Sequence, residues 1–212
     1  DSAQLEAMAK TRSNEGYLPG LSFPDDLVFE PDLERCVRGA DDILISVHNH
    51  GLRETLIIVA PLLDDQARVS WPTKCLELST GKLPHQVAVE ILGNRRPLEV
   101  RSGPTFAKEV GEGLPPEMKI AANDPDFAGA LATTLSGDYF RAYTSEDMIG
   151  VEVGGAVKNV LAIGAGLSDG LGFGANTRIA IINRGLVEMT RLGVALGAKQ
   201  DTFMGLAGMG DL

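Results

Sequence analysis

Cysteine is scarce here: Cys36 and Cys75 are the only two in 212 residues, and they lie far apart. No CxxC pair can be built from them, so neither a disulfide framework nor a thiolate metal site is expected, and a reduced cytoplasmic setting is the simpler reading. No run of 18 or more apolar residues occurs, so no spanning helix and no stable membrane anchor is expected. Basic residues are outnumbered, 19 Lys and Arg against 29 Asp and Glu, which gives a formal charge of −10. A surface of that sign does not neutralise a phosphate backbone, so no nucleic-acid partner is expected. A few lysines can still line a pocket for a small anion. Histidine is limited to His48, His50 and His85. His48-Asn49-His50 could hold a divalent ion, but further ligands are lacking beside it and no metal is expected.

An initiator methionine is also lacking. The opening DSAQLEAMAK is polar and amphipathic, unlike a signal peptide, and the closing GLAGMGDL stops on a glycine-rich turn. Both ends are therefore expected to be interior to a longer protein.

What is present is 44% apolar residues, enough for a sizeable core, arranged as alternating short runs. Helix is expected over 1–12, followed by a Pro/Gly-rich loop over 16–24. Strand-length runs follow at 43–47, 68–71, 98–103, 118–122 and 139–143. Helical segments alternate with them at 51–63, 83–92, 106–111 and 126–135. Strands and helices at that spacing predict an α/β fold with a mostly parallel, doubly wound sheet. Beyond Asp147 the texture turns to Gly, Ala, Leu and Ile, with a helical stripe of Ile179, Ile182, Leu186 and Met189. A boundary near 144–149 is expected, separating 1–147 from an all-helical unit over 148–212.

Four segments carry chemistry. In SGPTFAKEV (Ser102–Val110) a strand ends, Gly103 allows a tight turn, and Pro104 suits the start of a helix. Free N–H groups there, with the Thr105 hydroxyl, can receive an anion at the carboxyl end of a sheet strand. An ordinary strand–helix turn has the same pattern. In WPTKCLE (Trp71–Glu77), Lys74 falls just past a strand, where it could pair with a phosphate or a carbonyl oxygen or simply be solvated. In VEVGGAVKNVLAIGAGLSDG (Val151–Gly170), Lys158 stands in an uncharged stretch from Val153 to Ser168. An ammonium among aliphatic neighbours gives up its proton more readily and can act near neutral pH. Asn159 beside it could orient a substrate or satisfy backbone. The same stretch imitates a G-x-G-x-x-x-G dinucleotide loop, but Gly172 and Gly174 interrupt the turn that should open a helix, so no such loop is expected there.

Taken together, SGPTFAKEV, VEVGGAVKNVLAIGAGLSDGLGFGANTR, NRGLVEMTRLGVALGA and TFMGLAGMGDL resemble the bacterial-type NAD(P)-dependent glycerol-3-phosphate dehydrogenases along essentially the whole chain. The resemblance implies a Rossmann-like domain, incomplete here, followed by an incomplete helical domain with the active site between them. It implies reversible reduction of dihydroxyacetone phosphate to sn-glycerol 3-phosphate with NAD or NADP, feeding glycerophospholipid synthesis. By the same resemblance Lys158 is the proton donor, and Lys74 is catalytic while contacting both substrate and cofactor. Gly103, Thr105 and Asn159 bind substrate, and Ala107 and His50 lie with the cofactor. Asp211, in the closing G-x-G-D motif, faces the substrate and pairs with Lys158. A homodimer is compatible with the resemblance. The family's first strand, G-x-G-x-x-G loop and second strand would precede Asp1, and its Asn-Ser-Arg-Asn phosphate grip would follow Leu212. The 212 residues alone are thus expected to be inactive and poorly folded. His48-Asn49 stands where the family has Pro-Ser, Pro72 replaces a small residue, Cys75 replaces a glycine, and Pro115-Pro116-Glu117 replaces Pro-Thr-Ala. A two-domain 3-hydroxyacid or ketoacid dehydrogenase and a non-catalytic fragment are the competing expectations.

Overall fold

The computed structural model describes residues 2–210. The chain opens with α1 (Ser2–Thr11), β1 (Ser13–Asn14), β2 (Leu18–Ser22) and α2 (Leu33–Val37). A βα succession follows: β3 (Asp42–Leu44), α3 (Leu52–Val59), β4 (Arg68–Trp71), α4 (Pro84–Leu92), β5 (Leu98–Ser102) and α5 (Ala107–Gly111). Then come β6 (Glu117–Ala122), α6 (Pro125–Leu135), β7 (Arg141–Ser145), α7 (Met148–Gly170) and α8 (Gly174–Ala195), with short 3-10 turns at Asn49–Gly51, Ala60–Leu62 and Gln200–Met204.

Strands β3 to β7 form one sheet in sequence order. The β3–β4, β4–β5 and β6–β7 pairs are parallel, whereas β5 and β6 run antiparallel. The reversal follows from the connection: α5 has only five residues and does not carry the chain back to the start of β5. One sheet face supplies Val69, Trp71, Leu98, Val100 and Ala121 to a core shared with Leu52 and Leu56 of α3, Val87 of α4 and Val151 of α7. The opposite face sets Ile120 and Ala122 against Phe127 and Ala128 of α6. Helices on both faces of a mostly parallel sheet make this the expected doubly wound α/β architecture, followed by the expected helical region.

Several boundaries differ from expectation. The stretch expected as a loop over 16–24 contains β2, which pairs antiparallel with β1. Pro19 is tolerated because this two-stranded ribbon has only edges. Helix α2 was not anticipated; it starts where the Asp32 carboxylate accepts the N–H groups of Glu34 and Arg35. β3 is shorter than the apolar run 43–47, and β7 begins at Arg141 because a turn closed by Gly137 N–H to Phe140 O occupies the residues before it.

Helix α7 has 23 residues and an 18-residue window of mean hydropathy 1.4, long and apolar enough by length and composition to cross a bilayer. Glycines and Lys158 interrupt its apolar pattern, so no unbroken apolar run marks it in the sequence. Half of that window is buried inside the protein, as befits a core helix.

Candidate active site

The three parallel strands β3, β4 and β5 end on one edge of the sheet, the edge at which open α/β sheets receive ligands. Past β3 lie His48 and His50, past β4 lies Lys74, and past β5 lies Gly103. Helix α7 crosses this edge and adds Lys158 and Asn159.

Lys74, Gly103, Thr105, Phe106, Lys158, Asn159 and Ala162 line one cavity of about 210 Å³. Lys158 is only 4% exposed, and its Nζ donates to the Leu206 carbonyl at 3.0 Å. Lys74 is half-buried and donates to the Gly103 carbonyl at 3.3 Å. The Thr105 hydroxyl lies 3.4 Å from the same carbonyl, too long for a firm bond, so it stays available. Two lysines, Lys74 and Lys158, thus line one cavity of an otherwise acidic chain. Such a pocket suits a small anion with a carbonyl or hydroxyl near the lysines.

Two adjacent glycines of α7 set this geometry. A Cβ on Gly154 would lie 2.5 Å from the Ala207 carbonyl oxygen, and one on Gly155 would meet Ser102 Oγ at 3.0 Å and Lys74 Cγ at 3.3 Å. The helix can therefore press against the Lys74 turn on one side and the 206–207 segment on the other. The start of α7 is fixed by buried Asp147, whose Oδ1 accepts the Gly150 N–H at 2.9 Å. Its Oδ2 accepts from the Lys199 N–H at 2.9 Å and the Thr202 hydroxyl at 2.6 Å. That pins the segment leading to Leu206.

Of the residues singled out in the sequence, Lys74, Gly103, Thr105, Lys158 and Asn159 share the cavity. Ala107 and His50 do not line it. Ala107 is exposed at the first position of α5, one residue beyond Phe106. His50 borders a separate small cleft with Cys75, Arg53 and Glu77. Asp211 lies outside the described residues. The His48 and His50 rings stack at 6.0 Å, and no group of three or more His, Cys, Asp or Glu side chains is gathered among the described residues. The imitation dinucleotide loop lies within α7 and is helical to Gly170.

Sequence reasoning missed Phe106, Ala162 and the Leu206 carbonyl. It also missed a buried cluster in which Glu152 receives the indole N–H of Trp71 and the backbone N–H of His85. The available signal was Glu152 itself, an acid placed directly before the uncharged stretch.

The family model described as NAD-dependent glycerol-3-phosphate dehydrogenase N-terminus matches residues 1–128, and the corresponding C-terminus model matches residues 147–212. A protein of Pseudoalteromonas translucida named glycerol-3-phosphate dehydrogenase (NAD(P)+) is 50% identical over 100% of this chain and 64% of its own length. A Bartonella tribocorum protein of the same name is 52% identical over 98% of this chain and 63% of its own length. The crystal structure of glycerol-3-phosphate dehydrogenase from Coxiella burnetii superposes with a TM-score of 0.94 at 43% identity, covering 100% of this chain and 65% of that one. The chain thus spans somewhat under two thirds of the length of these relatives.

Proposed function

The chain belongs to the NAD-dependent glycerol-3-phosphate dehydrogenase family, and on that footing we propose that the protein reduces dihydroxyacetone phosphate to sn-glycerol 3-phosphate, reversibly, with NAD(P)H. The observation that carries this reading is the meeting of Lys74, Gly103, Thr105, Lys158 and Asn159 around one cavity. The site also fits a polar ligand at the strand ends: Thr73 Oγ1 and Ser102 Oγ are buried hydroxyls with no hydrogen-bond partner among the described residues.

When bound, the nicotinamide supplies the hydride that adds to C2 of the ketone. Lys158 gives its Nζ proton to the ketone oxygen as negative charge builds there, so the C=O becomes CH–OH, and in the reverse direction the amine takes that proton back. The Leu206 carbonyl aims the ammonium by accepting one of its protons. Lys74 lies where it can polarise the same oxygen or hold the phosphate, and Thr105 and Asn159 offer hydrogen bonds to the remaining oxygens. Ala107 and His50 are assigned to the cofactor side and Asp211 to the substrate side with Lys158. Residues 1–147 form the cofactor unit and 148–212 the substrate unit. The enzyme would work in the cytoplasm and supply glycerophospholipid synthesis.

The test is spectrophotometric. The protein expressed from its complete reading frame should consume NADPH or NADH only when dihydroxyacetone phosphate is present. K158M should then lower kcat by about 10²- to 10⁴-fold, the usual worth of a positioned general acid. No cofactor oxidation by the unsubstituted protein would refute the assignment, and full turnover by K158M would refute the role of Lys158.

A further inference from the structure

Glu152 is 2% exposed and lies on α7, the helix that carries Lys158. Its carboxylate touches two other elements. Oε1 accepts from Trp71 Nε1 at 3.3 Å and from the His85 backbone N–H at 2.8 Å, while Oε2 meets His85 Nδ1 at 2.5 Å. Trp71 is fully buried at the end of β4, three residues before Lys74. His85 lies in the first turn of α4, whose N-terminal N–H groups lack intrahelical acceptors. The side chain of Leu83, the residue before that helix, has no acceptor for the His85 N–H, and Glu152 supplies one from across the core. A single carboxylate therefore joins the end of β4, three residues before Lys74, the start of α4, and the helix of Lys158.

Stability alone does not account for this choice. A buried carboxylate carries a desolvation cost, and well-packed apolar replacements of buried ionic groups are often neutral or stabilising. Burial pushes the Glu152 carboxyl above the usual carboxylate range, and the contacts with His85 work in the opposite direction. What the carboxylate provides and an apolar side chain does not is direction: the indole N–H and the imidazole each bond along a fixed line.

We infer that Glu152 is a positioning residue that, through Trp71 and His85, fixes the Lys74 turn relative to Lys158. The inference rests on the proposed dehydrogenase activity. In E152M the core stays filled but all three hydrogen bonds are lost. In E152Q the amide oxygen can still accept from Trp71 and the His85 N–H, while the amide nitrogen donates to a neutral imidazole.

The experiment measures kcat and KM for dihydroxyacetone phosphate, with thermal melting, in the protein expressed from its complete reading frame. A purely structural role lowers the folded fraction and so the apparent kcat, but leaves KM alone. E152M should raise KM about fivefold or more and lower kcat about tenfold, the scale of a sub-ångström misplacement, and E152Q should return KM to within about twofold of the unsubstituted value. An unchanged KM in E152M, or a KM in E152Q as high as in E152M, overturns the inference. Should E152M fail to fold, H85F removes the imidazole contact from its half-buried side, and an unchanged KM there overturns it equally. No turnover by the unsubstituted protein overturns the functional reading instead, so the two failures are distinguishable.

Discussion

The same substitution at two points of α7 should have different effects on stability. Gly154 is buried with the Ala207 carbonyl 2.5 Å and its carbon 2.9 Å from where a Cβ would stand, whereas a Cβ on exposed Gly166 would meet nothing within 4 Å. Replacing glycine by alanine inside a helix gains about 0.8–1 kcal/mol of propensity at either site. At Gly154 the backbone of 206–207 must also move, and overpacking of this kind costs about 1–3 kcal/mol. G166A should thus be stabilising by about 0.5–1 kcal/mol, while G154A should range from neutral to about 2 kcal/mol destabilising. Because the propensity gain is common to both, their difference of about 1–3 kcal/mol isolates the steric contact. Urea unfolding of both variants, with unchanged m-values, gives that difference directly. G154A as stable as G166A, within about 0.5 kcal/mol, would show that α7 does not rest against the segment that holds Lys158.

Further expectations concern the network around the site. D147A strips the cap from α7 and leaves the Lys199 N–H and the Thr202 hydroxyl without their acceptor, so urea unfolding should show a loss of about 2–4 kcal/mol. Glu77 is held down to about 2 from an ordinary 4.5, chiefly by its hydrogen bond from Arg53. Its folded value is depressed, so its contribution is complete above pH 4.5 and is lost as pH falls towards 2. E77Q should accordingly flatten the acid side of a stability-against-pH curve, and an unchanged slope between those limits would contradict the pairing.

How much of this could be read from the chain depended on how local each cause was. RVSW and LEVRS were legible as strands because both are short runs buried in the sheet, and β4 kept the expected limits. Lys158 was legible because a lone charge in an aliphatic helix is visible in one window. The β1–β2 ribbon was not, since Pro19 and Gly20 signal a loop and only the pairing with Ser13 makes a strand. The antiparallel turn of β6 was hidden because alternation of side chains carries no strand direction. Glu152 escaped for a related reason: its partners Trp71 and His85 are 81 and 67 residues away, and hydrogen bonds at such separations exist only after folding.

The long helix has one more implication. Along its 23 residues, a rod of about 35 Å, Val151 is sunk in the sheet core while Lys158 faces the cavity. A stiff element bedded in this way moves as a piece, so thermal rocking of the rod carries Lys158 and the strand ends in step. The two lysines then meet an incoming anion as a preset pair whose spacing survives ordinary fluctuation.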